Sequence, residues 1–600
     1  MAISRSFLVT AVAGMVAAQN KTTVSISVPL NLSTRALVPD VYGYSIEPVW
    51  LDSYINTSLA STLLGHIVNV AGKAPPIRIG GNTADQTYLY PSSPLPLTRN
   101  DSAAIPDAAT ATRFNITPRW FDTWATYFPP GTELIYTLNL RDNSSNWANA
   151  VAQAAAARAA LGDSLVAFEL GNEIDHFINK GWRDASWGVK EYIEQFRNLT
   201  GQITGSEWYQ SLGNNNVPSF QAAVFADPPL VPDQHDEIDD FSIANLTAAG
   251  IASRPQEKKI ISSYATHLYP QSTCDTARWY RMRLDLLSDH AVLWKNVSQY
   301  IPQVHAADEA GAPLVMGETN SASCSGKSGI SDTFGAALWG VDYVLTAASI
   351  GFRKVYFHLG ARSEYSSFTP LLYELKNETL APGIRAGWYA HYFLARVVSH
   401  NCERRAEFRI AALPSANSSE LSGFAVYDGG VQLRKLVLLD MGVWNGTEGL
   451  ANPSTLTATD GTMFSEGTRP VSSFEVATPW TEGDEVKVVR LTGPGTNAKS
   501  NVTVAGTVFD DSTGDPVVGG DGSVQLGDEY SEIAQVGANG VLRLDVQRAE
   551  GVLLEKTVVC ADEGDDDRNS PTPGTSKTSR AEMNWFNILA ALICIVEILA

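Results

Sequence analysis

Two segments far apart in the chain each carry an apolar run into a glutamate. They are Val166-Ala167-Phe168-Glu169-Leu170-Gly171-Asn172-Glu173 and Ala312-Pro313-Leu314-Val315-Met316-Gly317-Glu318-Thr319-Asn320. A carboxylate at the carboxyl end of a buried strand is where a parallel barrel keeps its chemistry. Two such carboxylates can cleave a glycosidic bond, one protonating the leaving oxygen while the other attacks the sugar or activates water. A separation of roughly 5–5.5 Å gives retention through a covalent intermediate, and about 6.5–9.5 Å gives inversion. Taken alone, Glu173 could equally be a helix-start carboxylate; its pairing with Glu318 in the same strand position makes it a candidate. Tyr269, near another strand end, could hydrogen-bond a carboxylate and hold it ionised. That assigns Glu318 as nucleophile and Glu173 as acid/base. Asn172 offers an amide to a sugar 2-hydroxyl, and His267 is either a sugar ligand or a satisfied strand-end histidine.

Eight strand candidates would position these residues: 41–47, 77–82, 134–139, 166–173, 220–225, 264–269, 313–318 and 355–359. Each is a short apolar run with a polar or glycine-bearing end, as expected where helices cover both faces of a parallel sheet. Helical sequence lies between them, in alanine-rich Trp147 to Leu161 and in Ala277 to Lys295. The pattern predicts an α/β fold, a (β/α)8 TIM barrel over 40–390. No glycine-rich phosphate loop follows an early strand, which disfavours a doubly wound sheet. After about residue 390 short strands alternate with Gly/Asn/Asp/Ser turns, predicting an all-β sandwich over 391–560. Residues 19–39 alternate like an edge strand that could pair with it.

The ends suggest a secreted protein with a surface anchor. Residues 1–18 read as a signal peptide, with Arg5, an apolar stretch and small residues at Val16-Ala17-Ala18. Thirteen Asn-X-Ser/Thr sequons are more than chance supplies and point to a glycosylated surface. An acidic, Ser/Thr/Pro-rich linker over 561–584 leads to a hydrophobic tail over 585–600, the order of a glycolipid-anchor signal, with Gly574 to Ser576 as attachment region. A tail anchor or a disordered end is the alternative. Cys594 would leave with that tail, and four cysteines would remain for two disulfides. Cys274 and Cys324 follow adjacent strands and could bridge on one rim; Cys402 and Cys560 would then link the ends of the β-domain. The formal charge of −21 argues against nucleic acid as a partner. Neither metal-ligand spacing nor a Ser/His/Asp triad stands out, so no cofactor is expected.

Asn-Glu ending strand four, Glu ending strand seven and an aromatic near the end of strand six resemble the clan A retaining glycosidases. Ser45-Ile46-Glu47, Arg78-Ile79-Gly80-Gly81-Asn82, Leu170-Gly171-Asn172-Glu173 and Gly317-Glu318-Thr319-Asn320-Ser321 resemble glycoside hydrolase family 79, the β-glucuronidase and heparanase-like group. The resemblance runs from about residue 22 to 560. It implies a substrate bearing β-linked glucuronic acid, with Asp85 facing sugar hydroxyls. It also implies that Gly360 to Tyr365 lies near the substrate carboxylate, with Tyr365, nearby backbone amides and Arg362 as contacts. Glu47 could line the pocket or pair with Arg78. The small basic cluster of Arg278, Arg281 and Arg283 disfavours a long polyanion groove and favours removal of a terminal sugar. Two alternatives stand beside this: a clan A enzyme acting on a neutral sugar, and a catalytically silent carbohydrate-binding cell-wall protein.

Overall fold

The computed structural model describes residues 21–557 apart from 30, 94, 100–112, 143–146, 214–215, 230–240, 361–362, 376–377, 401–406, 415, 430, 449–463 and 518–531. The expected leader, linker and tail, together with Arg362, Cys402 and Cys560, lie outside the described residues.

Eight parallel strands close into a barrel in chain order. They are β1 (Tyr42–Ile46), β2 (Ile77–Ile79), β3 (Leu134–Leu138), β4 (Leu165–Leu170), β5 (Ser219–Phe225), β6 (Ile261–Leu268), β7 (Leu314–Thr319) and β8 (Val355–Leu359). Closure comes from β8 against β1, in register from Val355↔Tyr42 to Leu359↔Ile46. Ile135, Ala167, Val224, Ala265, Val315 and Tyr356 form an apolar cluster inside it. Side chains alternate along a strand, so Thr137 and Glu169, two residues beyond Ile135 and Ala167, continue the same faces of β3 and β4 toward the mouth. The barrel interior thus changes from apolar to polar along its axis. At the opposite end, Asp40 and Glu133 each pair with both Lys73 and Lys354, at 2.8–3.0 Å. These residues precede β1, β3, β2 and β8, so this ion-pair network ties the strand starts, where conservation of structure rather than chemistry is the usual role. In β5 Ala223 and Val224 have φ of 77° and 64°, at a register shift against β6. A β-branched residue in the left-handed region is uncommon. The Ala223 N–H released by this bulge donates to Tyr192 Oη at 3.0 Å.

The β-domain is a sandwich of an eight-stranded and a three-stranded sheet. The larger runs Arg35–Leu37, Phe408–Ala412, Leu421–Tyr427, Leu433–Asp440, Glu550–Lys556, Glu485–Thr492 and Thr503–Val504, with Glu532–Gln535 also on Glu485–Thr492. The smaller places Val471–Ala477 between Lys21–Ser27, parallel to it, and Val541–Gln547, antiparallel. Inward residues Ile26, Phe474, Val476, Leu542 and Leu544 pack against Leu436, Leu438, Val486, Val488 and Leu554 of the larger sheet. The chain therefore contributes a strand to each sheet before it enters the barrel.

Two local expectations are corrected. The boundary at 390 falls inside helix Ala386–Val398, because aromatic residues there bury between barrel and β-domain. Trp388 stacks on Tyr392 at 5.3 Å and meets Phe509 of the β-domain edge-on at 4.5 Å. The single helix expected over Ala277 to Lys295 is instead a 3-10 turn Thr276–Arg281, a short helix Leu284–Leu287 and a helix His290–Ser298. Asp275 caps the first turn through the Ala277 N–H, and Asp289 starts a separate helix by accepting the Val292 N–H. Trp388→Ala should cost about 3–5 kcal/mol, as for other buried aromatic truncations, and a fall in the urea midpoint at unchanged slope would report it.

Candidate active site

β4 ends at Leu170, and the chain turns at Gly171 with φ of 75°. A Cβ there would come within 2.9 Å of Ile174 Cγ2 and 3.0 Å of Leu140 Cβ, so only glycine fits. Glu173 follows in the left-handed region (φ 51°, ψ 57°), immediately before the 3-10 turn Ile174–Phe177. Such a conformation costs a non-glycine residue on the order of 1–3 kcal/mol and is concentrated at functional sites. It aims the side chain back over the barrel mouth. Glu318 lies within β7 and is buried. One carboxylate oxygen of each glutamate and a ring nitrogen of His267 all lie within 4.8 Å of one another. This is the close pairing associated with retention, not the wider gap that admits a water between the two acids.

Arg78 on β2 organises the floor of the site. Its side chain has no exposed surface. Nε donates to both oxygens of Glu169, at 2.9 and 3.0 Å. Nη1 donates to Ser45 Oγ at 2.9 Å and to Glu318 Oε2 at 2.8 Å. Nη2 donates to Asn172 Oδ1 at 2.8 Å. Glu169 also accepts from Thr137 Oγ1 at 2.7 Å and Gln221 Nε2 at 2.6 Å. The second oxygen of Glu318 accepts from Tyr269 Oη at 2.7 Å. Both Glu318 oxygens are thus held by donors, one of them cationic, which favours the anion and fixes its direction. Burial pushes the Glu318 carboxyl up, but His358, His267 and Arg78 outweigh it and hold the carboxyl below its ordinary value.

Glu173 is held differently. His267 Nδ1 is 3.3 Å from Oε1, while Lys180 Nζ and His176 Nδ1 are 3.7 and 3.8 Å from Oε2. Burial raises its carboxyl; the His267 hydrogen bond and the charges of Lys180, His267 and His176 pull it below the ordinary range. His267 is shared by both carboxylates, whereas Lys180 and His176 act on Glu173 and Arg78 and Tyr269 bind Glu318.

Asn172 is buried, with its N–H donating to Asp85 Oδ2 at 2.8 Å and its Oδ1 tied to Arg78. Its Nδ2 is buried and has no partner among the described residues, so this amide keeps a donor to spare. His267 Nε2 is likewise buried and unpartnered. Gly317 packs closely here, since a Cβ there would stand 3.1 Å from Ala265 Cβ and 3.4 Å from Nε2. Tyr365 is buried, its ring 6.3 Å from that of Tyr269 and 6.2 Å from that of His358. Asn320 Nδ2 donates to the carbonyls of His358 and Tyr365, at 3.0 and 3.2 Å, and so fixes the loop after β8.

Two expectations fail here. Asp85 does not face sugar hydroxyls: it is fully buried and its oxygens accept the N–H groups of Leu140 and Asn172, each at 2.8 Å. Its 3-10 turn Ala84–Gln86 points it under the rim, and it positions Asn172 instead. Glu47 does not pair with Arg78. It accepts from the N–H groups of Asn82 (2.9 Å) and Thr83 (2.8 Å) and from Thr83 Oγ1. Gly81 (φ 121°) allows that approach, because a Cβ there would lie 2.5 Å from Glu47 Cδ. Burial pushes the Glu47 carboxyl up to about 7, the Thr83 bonds opposing and Glu318 adding to the rise.

Residues not anticipated are Arg78 as the hub, Glu169 as its counter-ion, His358 and Lys180. His358 Nδ1 lies 3.2 Å from Ser45 Oγ and 3.6 Å from Glu318 Oε2. Arginine and glutamate inside otherwise apolar strands were the available signal, since neither is buried without a partner. Glu173, His267 and Glu318, and separately Asp175, His176 and Asp227, have donor atoms suited to a divalent cation. In the first group Arg78 and Tyr269 already engage both oxygens of Glu318. In the second, Asp175 accepts backbone N–H bonds from Ala226 and Asp227 on both oxygens.

The rim is braced from outside. Cys274 and Cys324 form a disulfide with Cα atoms 6.0 Å apart, tying the loops after β6 and β7 as their positions predict. Thr273 Oγ1 donates to the Cys324 carbonyl at 2.8 Å beside it. From the β-domain, Lys499 Nζ lies 2.8 Å from Asp332 Oδ2 and donates to Ser328 Oγ at 2.6 Å. Arg385 joins Glu364, next to Tyr365, at 3.1 Å, and the Glu364 N–H donates to the Ser325 carbonyl at 2.7 Å.

The chain has known relatives. Residues 423–553 match the model of the glycosyl hydrolase family 79 C-terminal beta domain. A beta-glucuronidase of Neurospora crassa is 29% identical over 517 residues, 80% of this chain and 86% of that protein. A beta-glucuronidase of Aspergillus niger is 28% identical over 547 residues, 85% of this chain and 93% of that protein. Among solved structures, a 4-O-alpha-L-rhamnosyl-beta-D-glucuronidase from Fusarium oxysporum in complex with Rha-GlcA aligns with a TM-score of 0.67 at 25% identity, covering 89% of this chain and 100% of that one.

Arg78→Lys tests the hub. An ammonium cannot serve Glu169, Glu318 and Asn172 at once as a planar guanidinium does. Misplacing reacting groups by an ångström costs on the order of 100-fold, so kcat/KM should fall by at least about that much while the circular-dichroism spectrum stays native.

Proposed function

We propose that this chain is a glycoside hydrolase family 79 enzyme that removes terminal β-linked glucuronic acid from glycans or glycoconjugates, with retention of configuration. One observation carries the reading: Glu173 and Glu318 oppose each other within 4.8 Å, and only Glu318 is fixed on both oxygens by Arg78 and Tyr269. Relatives named as beta-glucuronidases over most of both chains support the sugar.

In the first step Glu318 attacks the anomeric carbon while Glu173 gives its proton to the departing glycosidic oxygen, leaving a glycosyl ester on Glu318. In the second, Glu173, now a carboxylate, takes a proton from water as that water displaces the ester. Glu318 loses its charge as the ester forms and regains it as the ester breaks, so Arg78 and Tyr269 stabilise it most as the leaving group of the second step. The free Nδ2 of Asn172 is placed for the sugar 2-hydroxyl, a contact that strengthens as positive charge develops on the ring. The segment around Tyr365, with His358 beneath it, is the proposed site of the uronate carboxylate. The leader and sequons support secretion and glycosylation, and the polar spacer followed by an apolar tail supports a glycolipid anchor.

Glu318→Gln should abolish turnover with the fold retained. Glu173→Gln should lose natural glucuronides but keep measurable cleavage of nitrophenyl glucuronide, whose leaving group needs no proton. Proton NMR of the first product should show the β-anomer, and an initial α-product would exclude the mechanism. Nitrophenyl glucuronide and neutral nitrophenyl glycosides assayed side by side test the sugar; cleavage of only the neutral compounds would overturn the uronide assignment.

The sign of the pH dependence follows from Glu173. As general acid it acts only when protonated, and its cationic neighbours depress its carboxyl in the free enzyme. Its active form is therefore lost as pH rises from the acid range, and kcat/KM should peak in acid and decline toward neutrality. Lys180→Met removes one of those cations and should move the declining limb to higher pH. A limb that does not move would detach it from Glu173.

A further inference from the structure

A cavity of about 240 Å³ opens between the segment after β6, helix His290–Ser298 and helix Phe334–Ile350. Leu287, Leu293 and Trp339 wall it, and Tyr280, Arg281 and Asn296 are among the residues that rim it. It lies apart from the two glutamates, none of whose partners lines it.

Two features show that this space is made for a polar ligand rather than left by poor packing. Gln271 lines the cavity at 2% exposure; its Nε2 donates to the Arg283 carbonyl at 2.9 Å, while its Oε1 is buried with no protein donor. A buried acceptor without a donor is costly, and since Oε1 has almost no surface of its own accessible, it meets a donor in the cavity once the amide turns toward it. Tyr280 is 66% exposed, yet its hydroxyl accepts from Arg281 Nε at 2.9 Å, so a large ring is held at the rim facing solvent. The cavity thus combines an apolar wall, one aromatic face and one orphan acceptor, the requirements of a sugar ring with an N-acetyl group.

Asn296 decides which sugar. It opens the sequon Asn296-Val297-Ser298, and Val297 is buried while Asn296 stands half-exposed in the cavity rim. We infer that Asn296 carries an N-linked glycan whose first N-acetylglucosamine seats in this cavity, its ring against Tyr280 and a hydroxyl or amide N–H donating to Gln271 Oε1. The sugar acts as an internal strut between helix His290–Ser298 and the segment that leads from Tyr269 to the Cys274–Cys324 bridge. This rests on the secretory reading and is independent of the catalytic one.

The test uses the full chain made through a yeast secretory route. Glycopeptide mass spectrometry should find Asn296 occupied. Peptide-N-glycosidase F applied to the folded protein should release the Asn296 glycan at least about ten-fold more slowly than that of exposed Asn198, a factor that corresponds to about 1.4 kcal/mol of protecting contact. After denaturation the two should be released alike. Asn296→Gln and Ser298→Ala, which remove the glycan by different atoms, should lower the melting temperature equally, and Asn198→Gln should not. An unmodified Asn296 beside modified sequons elsewhere overturns the inference alone. No modification at any sequon overturns it together with the secretory reading. Release at the Asn198 rate from the folded protein shows a glycan in solvent, and the seat in the cavity is then wrong.

Discussion

A single guanidinium with no access to water sits beneath the candidate nucleophile, and its charge must be answered by groups equally buried. Arg78 meets that requirement with two carboxylates, Glu169 below and Glu318 above. Desolvating three charges is costly unless nearly every hydrogen-bonding position is filled, and here Thr137, Gln221, Ser45, Asn172 and Tyr269 fill them. The same network that keeps the barrel interior tolerable also fixes where Glu318 points and keeps it ionised. Stability and chemistry therefore draw on one set of bonds. Glu173 stands outside that set: its charge is answered by His267, Lys180 and His176 instead of by Arg78.

The rest of the chain holds that network still. Strand ends are joined by ion pairs at one end of the barrel, while the working end is built from loops that need external support. A disulfide joins the loops after β6 and β7, and Asn320 holds the one after β8. The β-domain reaches in through Lys499 to Asp332 and through backbone bonds from Phe334 and Gly335 to Ala498 and Thr496. It is part of the frame of the site rather than an appendage, and a boundary drawn at 390 cuts a helix that belongs to both halves.

Strand identity was legible because a parallel barrel writes each strand as a short apolar run, and a polar residue at its end announces the mouth. Glu173, Glu318 and Tyr269 could be placed for that reason. Asp85 and Glu47 could not, because an acid near a glycine-rich turn reads the same whether it faces a sugar or accepts backbone N–H groups. Ala277 to Lys295 misled for a related reason: its apolar spacing was helical, but the chain breaks after Arg281 and again before His290, where Asp289 caps a new helix.

What the sequence determined by itself was the set of elements and the resemblance of its motifs, since local periodicity and motif residues are properties of neighbours along the chain. Only the tertiary structure decided which carboxylate Arg78 would bind, that Asp85 would serve the Asn172 backbone, and that a lysine from the β-domain would brace the loops beneath Tyr365. Those choices depend on distances between residues as many as 240 positions apart, set by barrel closure and the alternation of side chains across each strand. No pattern of nearest neighbours encodes them.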